Sequence, residues 1–352
     1  MPSYPPLFPY VTRHFLAQNP LSRNPCLFFF NHGRSALAFL VRQLQAQERC
    51  FFLLPSYTCP TVLKSVLGQT EDYNFVDLDE DLDFELEDLQ RVLAEVPAGC
   101  RVVLLPTHLF GIPTRDYKKL YPDFLVIEDR AQSVISPGST ADFQIGSFGR
   151  GKLIGAWNGG VILAKDPGIT EAYRRVPAQR DFFKSYTLSF AQVLISKYLW
   201  SLLERTPLNP ERRVGQEQQP SLPLRRAAGL KTRWMTNGLA AFDPGRRLAI
   251  GGAYRQGIRL ELQYALGNKL PLLRYPIKIG QLNQKVLSRI GLSQLKSYRL
   301  TYEIARQRRG RTLEGACRLA YQSCFLPQHE LLSDGYVQDT ITQLNQHTAG
   351  SA

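Results

Sequence analysis

Residues 124–132 read FLVIEDRAQ, four consecutive apolar residues followed by a mostly polar stretch. An unbroken apolar run of this kind predicts a strand that is covered on both faces, as in the parallel sheet of an α/β protein. Four further runs have the same character: FFLL at 51–54, YNFVD at 73–77, VVLL at 102–105 and VILA at 161–164. Helical patterns lie between them, for example at 36–47 and 88–94. The first 165 residues therefore predict a mainly parallel sheet with crossover helices.

The length of 352 residues favours one large domain and a smaller one. Residues 205–233 are rich in Pro, Arg, Gln and Gly, and they predict an extended, loop-rich connection. Beyond it we expect a small α+β domain with a strand at 275–279, helices near 284–290 and 302–311, and a final helix capped by Ser333. The predicted organisation is a large α/β domain at 1–204, the connection at 205–233 and the small C-terminal domain at 234–352.

The chain carries 43 Lys and Arg against 30 Asp and Glu, a formal net charge of +13. Such a field favours anionic partners, whether nucleic acid, an anionic membrane or a phosphate-bearing small molecule. The basic clusters at 205–233 and 306–311 lack interleaved aromatic residues and recognised nucleic-acid-binding modules, so we expect no nucleic acid to be bound. The six cysteines include no CxxC pair, which argues against a disulfide framework and against a metal site.

One segment, at 186–203, is apolar enough to be considered as a membrane span. It contains Lys197, Gln192, Thr187 and three serines, which makes it too polar for a typical spanning helix. A helix packed in the core is favoured there, and a peripheral amphipathic helix is the alternative. The first nine residues lack the basic flank and apolar run of a signal peptide. We expect a soluble, cytoplasmic protein without stable membrane insertion.

Ligands of open α/β sheets bind beyond the carboxyl ends of the strands. Residues 31–37, NHGRSAL, form a glycine-containing turn entering a helix, which would present N–H groups to an anion, although ordinary turn chemistry explains it equally well. Asp129 and Gln132 follow the strand at 124–127, where a carboxylate can keep a pyridine nitrogen protonated or simply cap a helix. Lys152 lies in a glycine-rich stretch that can lower the pKa of an amine and favour imine formation, whereas most lysines are solvated surface charges.

In this order, the segments resemble the DegT/StrS-type sugar aminotransferases, a branch of the fold-type-I enzymes that use pyridoxal 5'-phosphate (PLP). Six family blocks have counterparts here: N-S-G-T-x-A-L at 31–37, P-S-F-T at 55–58, F-V-D-x-D at 75–79, H-L-Y-G at 108–111, E-D-x-A-Q at 128–132 and S-F-x-x-x-K at 147–152. The family's leucine-proline and histidine before a final helix are echoed at 326–329. The resemblance is dense over 27–165 and thin to about residue 345. It implies a mainly parallel, seven-stranded-type sheet domain followed by a smaller α+β domain.

The resemblance implies a role for each matched residue. Lys152 would carry PLP as an imine and act as the general acid and base of the proton transfer. Asp129 would pair with the pyridine nitrogen, and Gln132 would bond the ring hydroxyl. The phosphate would be held by residues from several segments: Gly33, Arg34, Ser35, Ser147 and Lys231. Cys59 stands at the position of the family's ring-stacking aromatic, and His108 and Arg233 would contact the substrate.

The implied function is that of a homodimeric aminotransferase in polysaccharide or glycan biosynthesis. An amino donor, glutamate or glutamine, would charge PLP, and the amine would pass to a nucleotide-linked keto-sugar. The active sites would lie at the subunit interface, with Arg233 or Lys231 reaching the partner's phosphate site in place of the family's asparagine. Basic residues of 205–233 and 306–311 would line the substrate cleft.

Three positions depart from the family pattern. Cys59 replaces the stacking aromatic, Arg34 replaces a threonine, and Trp157 replaces the first glycine of a G-x-G-G block. Two alternatives therefore stay open. A sugar dehydration would use the same cofactor, but the branch that performs it replaces the lysine by histidine, and Lys152 is retained. A non-catalytic descendant would bind a sugar nucleotide or a partner protein, in keeping with the lost aromatic and asparagine.

Overall fold

The computed structural model describes residues 24–149, 152–154, 158–178, 224–227, 229–240, 242–266, 270–279, 296–328 and 332–348. Its centre is a seven-stranded sheet, whose strands are β1 Leu27–Phe30, β2 Cys50–Pro55, β3 Tyr73–Val76, β4 Arg101–Leu104, β5 Leu125–Asp129, β6 Phe143–Ser147 and β7 Gly160–Ala164. Their order across the sheet is β1-β7-β6-β5-β4-β2-β3. The predicted mainly parallel sheet is confirmed, because only β7 runs antiparallel to its neighbours.

Helices surround this sheet and carry the chain between its strands. In the first part of the chain they are α1 Gly33–Gln47, α2 Pro60–Leu67, α3 Leu86–Ala94, α4 Tyr117–Leu120 and α5 Thr170–Arg175. The later part contains α6 Gly229–Ala240, α7 Gly245–Gly257, α8 Lys296–Arg309, α9 Glu314–Tyr321 and α10 Asp334–Thr348. A second, antiparallel sheet pairs β8 Arg274–Lys278 with β9 Ser323–Pro327. These elements give the expected smaller α+β region.

Ser333 caps the last helix as predicted, because its Oγ accepts the N–H of Tyr336 at 3.2 Å. Strand β6 was not predicted from the sequence, because a buried glutamine, Gln144, is its second residue and interrupts any apolar run. The amide of Gln144 bonds the backbone of Ser136 in both directions, at 2.7 and 2.8 Å, and this satisfies its polar atoms inside the sheet. The helix predicted at 284–290 and the apolar segment at 186–203 lie outside the described residues.

Helix α6 runs without interruption through the predicted domain boundary between Arg233 and Trp234. A Cβ added to Gly159 would collide with the sulfur of Met235 in α6, and one added to Gly238 would lie 2.7 Å from the Ile154 side chain. Helix α6 therefore packs on the large sheet.

The small region is joined to the edge of the large sheet by charged contacts. Arg309 donates to Asp88 at 3.0 Å and to Glu95 at 2.9 Å, and Arg311 pairs with Asp88 as well. The guanidinium of Arg308 lies 3.8 Å from the centre of the Tyr73 ring. Three of the arginines expected to line a substrate cleft, at 308, 309 and 311, thus contact α3 and β3, where the buried carboxylate of Asp88 requires cationic partners. Arg306 pairs instead with Glu303 of its own helix.

Within the ranges given above, no helix has the length and apolarity that crossing a membrane requires.

Candidate active site

The ends of three strands meet at one point of the sheet. Because β7 is antiparallel to both neighbours, its first residue, Gly160, pairs with Phe30 at the end of β1 and with Ser147 at the end of β6. The turn before α1 lies against this junction, since a Cβ on Gly33 would lie 3.0 Å from the Cβ and 3.1 Å from the Oγ of Ser147. A Cβ on Gly160 would likewise overlap the carbonyl of His32. The two glycines allow this close approach.

The amino end of α1 is suited to an anion. Its first turn contains no acidic residue, and the N-cap, His32, makes no side-chain capping bond. The hydroxyl of Ser35 and the side-chain oxygen of Asn31 are buried without a hydrogen-bond partner among the residues described. Unpaired polar atoms of this kind are uncommon in interiors. The Ser35 hydroxyl can donate a hydrogen bond, and together with the positive end of a 15-residue helix it favours an oxyanion as its missing partner. The amide oxygen of Asn31 accepts only, so its missing partner is a donor.

The last residue of β5 supplies a buried carboxylate beside this junction. Asp129 is only 4% exposed, and its Oδ1 accepts the N–H of Ala131 at 2.9 Å. Burial raises the pKa of Asp129, and the Ala131 N–H and the charge of Lys152 partly oppose that rise. A cationic ligand group at this carboxylate would oppose it further.

Lys152 follows β6, and its N–H donates to the carbonyl of Gly149 at 3.3 Å. Its Cγ would lie 4.0 Å from a Cβ built on Gly149, and its charge acts on Asp129. The amine of Lys152 is therefore close enough to Asp129 for the two charges to interact. The sequence predicted both residues, and the structure brings them together at the carboxyl ends of β5 and β6.

Gln132 is held by the turn after β4. Its Oε1 accepts the N–H of Phe110 at 3.3 Å, which leaves its NH₂ group as a donor. Phe110 has φ of 59°, a left-handed conformation that costs a bulky residue about 1–3 kcal/mol. Its carbonyl accepts the N–H of Leu273 at 2.6 Å, and its ring lies 4.3 Å from that of Phe325. The small region therefore fixes the turn that orients Gln132.

The backbone N–H of His108 donates to the carbonyl of Asp129 at 2.9 Å, but its imidazole lies near other groups. Its Nε2 is 3.8 Å from Glu128 and 3.4 Å from Thr114. Since successive side chains of a strand point to opposite faces, Glu128 and Asp129 face away from each other, and His108 lies on the Glu128 side. Burial, and then the charge of Arg130, lower the pKa of His108 to about 3. Its Nδ1 is buried without a hydrogen-bond partner among the described residues, and the predicted substrate contact of His108 stays a prediction.

Four further residues were predicted to bind the cofactor or the substrate: Cys59, Arg34, Lys231 and Arg233. Cys59 is half-buried at the N-cap of α2 and contacts the hydroxyl of Thr61. Arg34 lies close enough to Cys59 for the two charges to interact. Lys231 is buried, and its Nζ donates to the carbonyl of Asn31 at 3.2 Å, whereas Arg233 is exposed on the same helix.

Tyr298 of α8 was not anticipated as a site residue. It is buried, and its ring lies 5.4 Å from that of Tyr57, in the P-S-Y-T block. Burial raises the pKa of Tyr298 well above its usual value, with further effects from Cys59, Arg274 and Asp129. Tyrosines at 298 and 302 have the spacing of one helical face, which could have indicated this helix. The helix predicted at 302–311 began too late to include Tyr298.

Comparison with known proteins agrees with this arrangement at the level of the fold. No protein-family model matches the chain, and no curated protein matches it. Among solved structures, Helicobacter pylori PseC, an aminotransferase involved in the biosynthesis of pseudoaminic acid, is similar with a TM-score of 0.73 and 14% identity over 99% of both chains. The chain has the fold of the sugar aminotransferases.

Two more solved structures with the sugar-aminotransferase fold show the same relationship. A DegT DnrJ EryC1 StrS aminotransferase from Brucella abortus has a TM-score of 0.65 and 16% identity, with 91% of this chain and 85% of that chain covered. The PLP form of Spr1654 from Streptococcus pneumoniae, described as a sugar aminotransferase, has a TM-score of 0.67 and 16% identity over 99% of both chains. The resemblance to the DegT/StrS type is thus confirmed in three dimensions, and at these identities it establishes the fold.

Proposed function

We propose that the protein is a PLP-dependent aminotransferase that transfers an amino group to a keto-sugar. The observation that carries the proposal is a buried carboxylate, Asp129, that ends β5 while the amine-bearing Lys152 follows the neighbouring strand β6, next to an anion-suited helix end. Few ligands need a carboxylate for a ring nitrogen, an amine for an aldehyde and a phosphate site together. The fold of the sugar aminotransferases supports the same choice.

The residues present fit PLP group by group. The unpaired hydroxyl of Ser35 and the Gly33–Ser147 contact form a place for the phosphate, with Arg34 adjacent. Asp129 suits the protonated pyridine nitrogen, and the NH₂ of Gln132 suits the ring oxygen. When bound, the cofactor supplies an electron sink for the carbon that gains or loses the amine.

The chain's own residues would then perform three tasks. Asp129 holds a proton on the ring nitrogen, because a charge pair in a buried site strongly favours the protonated ring. Gln132 orients the ring through a bond fixed by the Phe110 turn. Lys152 would carry the cofactor covalently and move a proton as general acid and base.

The test of the cofactor is spectroscopic and covalent. Purified protein should absorb in the visible range, and borohydride should attach the cofactor irreversibly to the peptide that contains Lys152. Lys152→Ala should abolish attachment, while Lys165→Ala, an exposed lysine after β7, should leave it unchanged. A colourless wild-type protein that takes up no added PLP would refute the proposal.

For the substrate we propose a nucleotide-linked keto-sugar, with glutamate or glutamine as amino donor, in polysaccharide or glycan biosynthesis. The net charge of +13 suits a ligand with a diphosphate, whose association such a field accelerates at low salt. The assay supplies glutamate and a panel of nucleotide 4-keto and 3-keto sugars, and it follows 2-oxoglutarate release as salt increases. Turnover confined to free keto acids would contradict the substrate while leaving the cofactor assignment intact.

We also propose that the protein is a cytoplasmic homodimer. The support is the resemblance to enzymes whose active sites lie at a subunit interface. Light scattering coupled to size-exclusion chromatography should give twice the chain mass of 39.9 kDa. A fully active, monodisperse monomer would contradict the dimer.

A further inference from the structure

The phosphate site contains a buried amine that comes from far along the chain. Lys231, on the first turns of α6, is 7% exposed, and its Nζ donates to the carbonyl of Asn31 at 3.2 Å. Asn31 directly precedes the turn that begins α1. An ammonium group has three donors, so this one hydrogen bond leaves donor capacity beside the helix end.

The segment before α6 is fixed to the same subunit. The N–H of Asn31 donates to the carbonyl of Arg225 at 3.2 Å, and the N–H of Ala227 donates to Phe29 at 2.9 Å. Residues 225–227 therefore extend the sheet beyond β1. Past Lys231, Met235 packs against Gly159 and Phe148. Anchors on both sides of Lys231 thus keep its amine at the turn of its own chain.

The charges at the turn are unbalanced. Burial lowers the pKa of Lys231 to about 8, and His32 has its pKa lowered to about 4 by burial, Lys231 and Arg34 in that order. No carboxylate in the described ranges forms an ion pair with Lys231. A buried cation without a counter-charge is costly, and a bound dianion would offset that cost.

We propose that Lys231 binds the cofactor phosphate within its own subunit, so that the phosphate site is completed by a single chain. The inference rests on the proposed function and deepens it. It differs from the expectation for the family, in which an asparagine reaches the phosphate from the partner. Here an amine already occupies that neighbourhood in cis.

The first experiment compares PLP with pyridoxal, which lacks the phosphate. Lys231→Met should weaken PLP binding about 10- to 100-fold, the effect of one charge-assisted bond, and should change pyridoxal binding little. Affinity is read from absorbance titration, independently of turnover. Lys231→Arg should retain most of the affinity, and Lys165→Met, which removes an exposed cation, should bind both ligands as the wild type does. Equal losses for both ligands, or none, would overturn the proposal.

The second experiment separates cis from trans. Lys152→Ala and Lys231→Met chains carrying different tags are co-expressed, and mixed oligomers are purified through both tags. If Lys231 acts in cis, no site of a mixed dimer has both lysines, so covalent attachment of PLP at low concentration stays as weak as in Lys231→Met alone. Wild-type affinity at half of the sites would show that Lys231 acts in trans and would overturn the proposal.

These outcomes are distinct from a failure of the proposed function. A wild-type protein that binds neither PLP nor pyridoxal rejects the cofactor itself. A wild-type protein that binds PLP, together with a Lys231→Met variant of unchanged affinity, rejects only the role of Lys231. Should no mixed oligomer be recovered because the chain is monomeric, PLP attachment by the monomer would itself establish that one chain completes the site.

Discussion

The carboxylate of Asp77 accepts the N–H of Ala316 at 3.0 Å and caps the first turn of α9 across 239 residues of sequence. Its other oxygen accepts the N–H of Gly315 at 3.2 Å. A Cβ on Gly315 would overlap the carbonyl oxygen of Leu78, so only glycine allows the approach. The second aspartate of this block, Asp79, binds Arg115. Through Asp77, the F-V-D-x-D block thus joins the large sheet to helix α9 of the small region.

We predict that Asp77→Ala lowers the free energy of unfolding by about 1–3 kcal/mol, since it removes a cap and leaves buried N–H groups unpaired. Gly315→Ala should be at least as damaging, because the obstacle is backbone. Urea unfolding measures both. Asp81→Ala, with a side chain 68% exposed, is the control and should change stability by less than about 0.5 kcal/mol. A comparable effect of all three variants would contradict the cap.

Asp129→Asn should separate catalysis from stability. The substitution removes the carboxylate that keeps the ring nitrogen protonated. It should therefore slow the amino-transfer half-reaction by about 100-fold or more, a much larger effect than the one on PLP affinity. Stopped-flow absorbance after mixing with amino donor measures the step. Transfer at the wild-type rate would show that the assigned role is wrong.

The same variant makes a prediction about pH for the cofactor-free protein. Because the folded pKa of Asp129 is raised, its contribution is most favourable at acid pH, below the unfolded pKa, and is lost as pH rises through the folded pKa. Asp129→Asn should therefore unfold at higher denaturant than the wild type at neutral pH, with a smaller difference at pH 4. Thermal or urea unfolding of both proteins at the two pH values checks this.

Cofactor affinity should depend on the charge of Lys231. Its folded pKa, lowered to about 8, means that the amine is cationic below pH 8 and becomes neutral above it. We expect the ratio of PLP to pyridoxal affinity to be constant at pH 6–7 and to fall above pH 8. Lys231→Arg should keep the ratio constant through pH 10, because a guanidinium stays charged. Parallel pH profiles for the wild type and this variant would argue against titration of Lys231.

Tyr298 should report on the cofactor from the small region. It lies beside Tyr57, and its pKa responds to Cys59 and Asp129. Tyr298→Leu should weaken PLP binding about 3- to 10-fold and shift its visible band, as expected for the loss of an aromatic contact. Tyr298→Phe should do neither. Tyr302→Leu, one helical turn further and packed on Tyr321, is the control for damage to α8.

Much of the candidate site could be located in the sequence because its residues lie at strand ends. The apolar run at 124–127 located Asp129 and Gln132, and the order of motifs then singled out Lys152. The phosphate turn followed from a glycine before a helical stripe. In each case the residues are either close in sequence or follow neighbouring strands, and the geometry of the sheet brings the ends of such strands together.

The features that escaped prediction depend on long-range pairing. No local pattern indicates that Lys231 meets Asn31, 200 residues away, or that Arg309 meets Asp88. The basic stretch at 306–311 suggested that its arginines bind an anionic substrate. In the structure, two of them bind the buried carboxylate of Asp88 in α3. Strand β6 was missed because Gln144 is satisfied by backbone atoms, which hydropathy does not register.

The pairing of β1 with β7 has a consequence for the order in which the protein folds. Strand β1, among the first described residues, finds its partner about 130 residues later, and residues 225–227 cover its other side later still. Since contacts of such separation form slowly, β1 and its turn must wait until much of the chain has left the ribosome. The phosphate site should therefore mature late, and nascent chains shorter than about 235 residues should not retain the cofactor.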